Sequence, residues 1–395
     1  MVNLNKTPIL IGVFLTTSLA MVGVQNLVPA LPAIAKALQL EKGDIAYLIT
    51  AFTLGNVLVA PFLAILVDRI GRRKVLLPSL CVFGVAGTFC GLVDSADWVL
   101  FFRFLQGMGS AALGAISVTI LTDLYSGPDR IRWFGYNMSI TSLGMVIFPL
   151  AGGFLVQYSW RYPFFLAAAA LPVALYNYIY LRYPEPLGQL NVKQYLQNFS
   201  RSLHDPRILR LAVLNLSVFI LFGGVIVTFF ALLIEDGFPA DITLGSLTID
   251  SQLFSGLAIA LFALMVGVAS ARLGAIHTRF GFSRVLALAV LGYGVALLGV
   301  QAASTPAGVL ASMMVLGCAH GITVPSIVAL HTKLAPEGMI AAYVTMNSLV
   351  FRIGQTLGPV LMALVYSSWG LLPVFWLGAA MAIPMALLAG LTRWR

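Results

Sequence analysis

The chain has 395 residues, 60% of them apolar and only 9% Asp, Glu, Lys or Arg. A water-facing surface needs ~25% charged residues, so the composition excludes an ordinary soluble domain. The net charge of +9 is therefore read first as a record of membrane orientation, not as a nucleic-acid footprint.

A bilayer-spanning helix takes ~20 mostly apolar residues, and twelve such runs follow one another. In chain order they are α1 (8–30), α2 (44–67), α3 (75–93), α4 (97–123), α5 (133–158) and α6 (162–182). The second half supplies α7 (208–234), α8 (251–273), α9 (284–301), α10 (307–330), α11 (341–366) and α12 (371–391). Turn formers fill the gaps, as in Ser126-Gly127-Pro128-Asp129 and Ala335-Pro336-Glu337-Gly338. Ala33-Ile34-Ala35 imitates a signal-peptide cleavage site, but α1 exceeds the usual h-region of ~7–15 residues. It also carries Gln25 and Asn26, so it is read as a retained helix. Cys81, Cys90 and Cys318 all fall inside helices and imply neither a disulfide framework nor a metal site.

Lys and Arg are retained on the cytoplasmic side of a membrane protein. With both termini inside, 18 of the 23 basic residues lie on that side. Lys36, Lys42 and Arg161 fall outside, and Arg103 and Arg352 fall within the spans.

The segment Arg69-Ile70-Gly71-Arg72-Arg73-Lys74-Val75-Leu76 lines up with Arg279-Phe280-Gly281-Phe282-Ser283-Arg284-Val285-Leu286 at an offset of 210. The same offset carries Gly107 onto Gly317, Gly144 onto Gly354 and Pro149 onto Pro359. The expected organisation is an N-terminal six-helix bundle (1–182), a cytoplasmic linker (183–207) and a C-terminal six-helix bundle (208–395). The linker is the longest polar stretch and is expected to hold a short helix on the membrane surface. Repeated halves of this kind suit a transporter that rocks around a site between them.

These residues resemble the major facilitator superfamily over essentially the whole chain, in pattern most like the twelve-helix drug/proton antiporters. Asp68, Arg69, Gly71, Arg72 and Arg73 match the family motif G-x-L-A-D-R-x-G-R-R/K between α2 and α3, with Ala64 and Val67 departing from it. Arg103-Phe104-Leu105-Gln106-Gly107 matches R-x-x-Q-G in α4. Gly144 to Gly153 matches G-x-x-x-G-P-x-x-G-G in α5, with Phe148 where the second Gly is expected. Val28-Pro29-Ala30-Leu31-Pro32 at the end of α1 is also similar to that group. The resemblance implies an all-α polytopic membrane protein of the major facilitator fold, twelve transmembrane helices in two pseudo-symmetric bundles. It further implies that Asp68, Arg69, Gly71, Arg72, Arg73 and Asp123 form a breakable cytoplasmic gate.

A cation at the bilayer centre costs about 3 kcal/mol or more, so it usually faces a cavity. Arg103 with Gln106 on α4, and Arg352 with Gln355 on α11, each form a polar stripe at helical spacing. They are candidate walls of a substrate cavity, together with Gln25, Asn26, Asn137, Asn215, His320 and Asn347. Any of the amides can equally be interhelical glue, worth ~0.6–2 kcal/mol. Gly107, Gly144, Gly152, Gly153, Gly354 and Gly358 are expected to let helices approach closely, and Pro149 and Pro359 to bend them. All fourteen Asp and Glu residues fall in loops or at helix ends, so the inferred cavity is net positive. Candidate proton carriers are His320, whose imidazole titrates near ~6.5 when unperturbed, and the helix-end acids Asp44, Asp68, Asp123 and Asp250.

The expected function is secondary transport: proton-coupled export of an amphiphilic neutral, zwitterionic or anionic compound by a monomer in the plasma (inner) membrane. The alternatives are proton-coupled uptake of an organic anion and a non-transporting receptor or scaffold. An enzyme is disfavoured because His204, His277, His320 and His331 are scattered without ligand spacing, and no P-loop is present. The expected partners are a small-molecule substrate, the lipid bilayer and protons, with no nucleic acid. No metal or other cofactor is implied.

Overall fold

The computed structural model describes residues 6–182, 205–335 and 340–392. With no water in a bilayer core, a chain this apolar has to bond its backbone within helices. Twelve described helices are long and apolar enough to cross a membrane. The first six are α1 (Lys6–Ala37), α2 (Lys42–Val67), α3 (Arg72–Cys90), α4 (Ala96–Leu124), α5 (Arg132–Val156) and α6 (Tyr162–Tyr180). The other six are α7 (Pro206–Gly237), α8 (Ser251–Ala271), α9 (Phe282–Ala302), α10 (Pro306–Leu334), α11 (Met346–Trp369) and α12 (Leu371–Leu391). The protein is an integral membrane protein.

Two compact units divide the chain. One comprises Met1–Glu41 and Tyr47–Leu190, the other Lys42–Ala46 and Asn191–Arg395. In the first unit α1 packs on α4, α5 and α6, and α3 on α4 and α6. In the second, α7 packs most closely on α11 and also meets α8, α10 and α12, while α9 lies against α10 and α12. Every residue of α7 from Val218 to Ile234 is buried. The segment 42–46 counts with the second unit because Lys42 donates to Asp236 at 2.5 Å and Gly43 meets the Tyr366 ring.

Glycines set the closest approaches, and the repeat places them twice. A Cβ at Gly107 would stand 1.9 Å from the Phe52 carbonyl oxygen, and one at Gly317 would stand 2.4 Å from that of Phe262. Both members of that contact are related by the 210-residue offset. Gly152 similarly lies on the Asn26 carbonyl, and Gly354 and Gly358 on those of Leu216 and Ile220. Pro149 and Pro359 lie inside continuous helices.

Four features depart from the sequence reading. First, α1 ends its regular run at Gln25, passes through a tight turn at Val28–Ala30 and resumes over Leu31–Ala37, where Pro29 and Pro32 remove backbone donors. Second, α7 opens into a π-helical stretch over Phe222–Phe229, in which the Thr228 hydroxyl donates to the Gly223 carbonyl five residues back at 2.8 Å. Third, Asp241–Leu244 (β1) and Leu247–Asp250 (β2) form an antiparallel hairpin between α7 and α8. Alternating Ile242, Leu244, Leu247 and Ile249 around Gly245-Ser246 carry that signal, and Gly245 takes a φ of +64°. Fourth, the connection after α8 holds a helix, Leu273–Phe280. The linker also ends earlier than 207, because Asp205 caps a helix starting at Pro206 and accepts from Arg207 N at 2.8 Å. The expected linker helix falls outside the described residues.

Gly107→Ala is expected to cost about 3 kcal/mol, because a backbone carbonyl cannot step aside for a methyl group. Gly114→Ala, which meets open space, is expected to be neutral or stabilising by up to ~1 kcal/mol. Thermal unfolding of the two variants in detergent checks the contrast.

Candidate functional site

The α2–α3 connection and its repeat are built alike at the backbone. Gly71 and Gly281 each cap the following helix with a left-handed φ, +99° and +77°, a conformation that strains any residue with a Cβ. Arg72 then places its Nε 3.0 Å from Asp123 Oδ2, with both side chains about nine-tenths buried. Arg73 donates to the Tyr178 carbonyl at the end of α6, while Arg69 is exposed. The Asp68 side chain lies outside the described residues. At the repeated positions the chemistry changes. Phe282 and Lys333 replace Arg72 and Asp123, with the Lys333 ammonium 5.6 Å from the Phe282 ring centre. His277 stacks on the same ring at 3.9 Å, and its Nε2 is 2.8 Å from the Ser326 hydroxyl.

Arg103 is fully buried. Its Nε donates to the Leu48 carbonyl at 3.1 Å and its Nη1 to the Gly23 carbonyl at 2.8 Å and to Gln106 Oε1 at 2.7 Å. The guanidinium also lies 4.5 Å from the Phe52 ring centre. Charge-assisted bonds of this kind contribute ~1.5–3 kcal/mol each, enough to offset the ~3 kcal/mol insertion cost. The expectation that Arg103 lines an open wall is corrected to this extent: the side chain ties α1, α2 and α4 together.

The amides face neighbouring helices of their own unit. Asn137 Oδ1 accepts from the Thr17 hydroxyl at 2.7 Å, joining α5 to α1. Its repeat, Asn347, is 3.0 Å from Asn215 Nδ2, joining α11 to α7. Asn26 Nδ2 donates to the Pro163 carbonyl at 2.7 Å, and Gln25 is half-buried. The π-helical stretch of α7 brings Gly223 and Gly224 against Gln355 and Gly358 of α11. Arg352 and Gln355 are half-buried. No carboxylate pairs with Arg352 among the described residues.

An aromatic cluster in the second unit escaped the sequence reading. The His320 ring is 4.8 Å from Phe222, 5.4 Å from Phe262 and 5.9 Å from Phe219 and Tyr293, between ring centres. Its Nδ1 is hydrogen-bonded to the Tyr293 hydroxyl. These residues come from α7, α8, α9 and α10, so no linear spacing announces them; only Phe219 and Phe222, three apart on one helical face, hint at it. The helix-end acids have other partners or positions. Asp250 caps α8, accepting from Leu253 N at 2.6 Å, Asp123 pairs with Arg72, and Asp44 ends a tight turn over Lys42–Asp44.

The family model of the Major Facilitator Superfamily matches residues 13–255 and 242–395. The chain belongs to the major facilitator superfamily. Family and fold are those of membrane transporters, not enzymes. Among relatives, the Multidrug resistance protein 2 of Bacillus subtilis is 28% identical over 162 residues, covering 41% of this chain and 40% of that one. The Tetracycline resistance protein, class B, of Escherichia coli is 35% identical over 158 residues, covering 38% of each chain. These matches thus span about two fifths of the relatives' length. Among solved structures, the nucleoside transporter NupG superposes with a TM-score of 0.80 at 14% identity, covering 97% of this chain and 98% of its own. The D-xylose-proton symporter gives 0.74 at 15% identity, covering 96% and 97%. At such identities the likeness is one of fold.

Two outcomes follow from this facilitator's charged ends. Asp123→Ala leaves Arg72 buried without its carboxylate and is expected to cost ~3 kcal/mol; adding Arg72→Ala should recover part of that loss. A double-mutant cycle on thermal unfolding checks the coupling. Burial holds the His277 imidazole below its ordinary value, so as pH falls the unfolded chain takes up the proton first. The contribution of neutral His277 is complete above ~6.5 and is lost as pH falls through the folded value. His277→Phe keeps the stack on Phe282 and should narrow the difference in Tm between about pH 7.5 and 5.5.

Proposed function

We propose that this chain is a secondary active transporter, exporting an amphiphilic neutral, zwitterionic or anionic compound by alternating access in exchange for protons. It acts as a monomer in the plasma (inner) membrane with both termini cytoplasmic. The observation that carries the substrate class is the sign of the charge away from the span ends: two arginines and no acid. Arg103 has committed three donor contacts to carbonyl oxygens of its own unit. Arg352 has no carboxylate partner among the described residues, which leaves it as the cation for a substrate's negative or carbonyl oxygen. Gln355, one helical turn away on the same face, adds a neutral donor and acceptor.

Export is favoured over uptake by the relatives, which are named for multidrug and tetracycline resistance. The Arg72–Asp123 pair would then serve as the breakable latch. Because desolvation offsets much of the attraction in a buried pair, its net contribution is at most about a few kcal/mol, small enough for each cycle to open it.

Proteoliposomes loaded with a pH-sensitive dye test the reading, with tetracycline, norfloxacin, taurocholate, chloramphenicol and tetraphenylphosphonium as the panel. Proton movement evoked by the anion or a zwitterion, opposite in direction to substrate, is expected. Arg352→Ala should abolish it, and Arg352→Lys should retain part of it because the charge survives without the planar fork. Movement evoked only by tetraphenylphosphonium would overturn the positive-site reading. Proton and substrate moving together would make the protein a symporter.

A further inference from the structure

We infer that His320, held by Tyr293 and the rings of Phe219, Phe222 and Phe262, is the residue that carries the exchanged proton. The inference rests on the proton-coupled reading above and names its carrier.

Two independent features of the cluster support it. The first is geometric. Three phenyl rings have their centres within 6 Å of the imidazole, the range over which a ring's quadrupole attracts a cation. Such rings attract an imidazolium more than a neutral imidazole, against the cost of desolvating its charge, and the imidazolium has no carboxylate to lean on. Among the described residues no Asp, Glu, Lys or Arg bonds to His320. Tyr293 of α9 is its one titratable partner among the described residues; α7 and α8 contribute the rings of Phe219, Phe222 and Phe262, and α11, which also packs on α10, carries Arg352 without a bond to His320.

The second feature is the hydroxyl at Nδ1. In the neutral pair, either the Tyr293 O–H donates to Nδ1 or an Nδ1–H donates to the Tyr293 oxygen. When a proton from water is added, both ring nitrogens carry hydrogen. Nδ1–H then donates to the Tyr293 oxygen, whose own hydrogen turns away. Release reverses these changes: the proton returns to water and the hydroxyl can donate again. A hydroxyl can serve either neutral tautomer and the imidazolium because it donates and accepts, whereas an ammonium could serve only the neutral ring.

Two of the acids considered as carriers are already engaged. Asp250 is held by the backbone N–H of Leu253 as the cap of α8, and Asp123 is paired with Arg72. The cluster, by contrast, adjoins the part of α7 with the least regular bonding. Phe222, 4.8 Å from His320, is the first residue of the π-helical stretch, and the next two residues are the glycines against Gln355 and Gly358. Charging His320 therefore pulls on Phe222 where α7 meets the helix of Arg352. A π-helical turn can return to α-helical bonding by moving one residue, so a proton on His320 has a physical route to the substrate residues.

The test uses full-length protein labelled with 15N-histidine in lipid nanodiscs. The His320 resonance is identified by its loss in His320→Gln. It is expected to pass from neutral to imidazolium as the pH is lowered, and to shift its midpoint in Tyr293→Phe. In proteoliposomes, His320→Gln should lose norfloxacin-evoked proton movement, and Tyr293→Phe, which keeps the ring, should keep norfloxacin counterflow without a pH gradient. A His320 ring that stays neutral throughout, or a His320→Gln variant that still moves protons with substrate, overturns the assignment and leaves the transporter reading standing. A wild-type protein that exchanges norfloxacin without moving protons overturns both. If His320→Gln fails to fold, Tyr293→Phe carries the test. An unchanged His320 titration and an unchanged pH dependence of flux in that variant overturn the role given to the hydroxyl.

Discussion

A lipid-immersed backbone has no water to bond to, and the rest of this structure depends on that constraint. Each N–H and C=O must be satisfied along its own helix, so the chain becomes a set of rods. Rods in lipid gain nothing from hydrophobic burial and must be held by close packing and buried polar contacts. The glycine contacts on the carbonyls of Phe52, Phe262, Asn26, Leu216 and Ile220 are the means. They bring helix axes near enough for short polar bonds, such as Thr17 to Asn137 and Asn215 to Asn347, to form between neighbours.

The two halves keep the backbone devices and change the side-chain chemistry. Gly71 and Gly281 make the same left-handed turn. After it, Arg73 reaches the Tyr178 carbonyl near the end of α6, and its repeat Ser283 reaches the Thr392 carbonyl just past the end of α12. Where the first half has an ion pair, the second has a cation over a ring at the repeated positions. The first unit buries Arg103 among carbonyl oxygens, and the second buries His320 among rings. Shape is thus conserved by glycine and main chain, which tolerate few substitutes. Charge is free to diverge, and the divergence places a buried imidazole in the second unit.

Legibility in the sequence followed the same division. Length, run hydrophobicity and glycine spacing act over a single helix or a fixed offset, so the twelve spans, the repeat and the motif glycines could be read directly. The hairpin at Asp241–Asp250 was readable too, from strict alternation around Gly245-Ser246. The π-helical stretch was not, since Phe222–Phe229 is as apolar as any other run and its bonding depends on where α11 presses. The fate of Arg103 was equally hidden, because a buried guanidinium bonded to main-chain carbonyls leaves no pattern in side chains.

The sequence alone therefore determined the class of the protein: an integral membrane bundle in two related halves, with basic residues distributed for one orientation and no acid mid-span. Those properties come from composition and from interactions along one helix. Only the tertiary structure decided which polar residues are spent on holding helices together and which remain available. Arg103, Asn137 and Asn215 meet their partners across distances of up to 132 residues, and the rings around His320 come from three other helices. Such contacts depend on helix rotation and depth, which are set when neighbouring helices pack and are not encoded in any one of them.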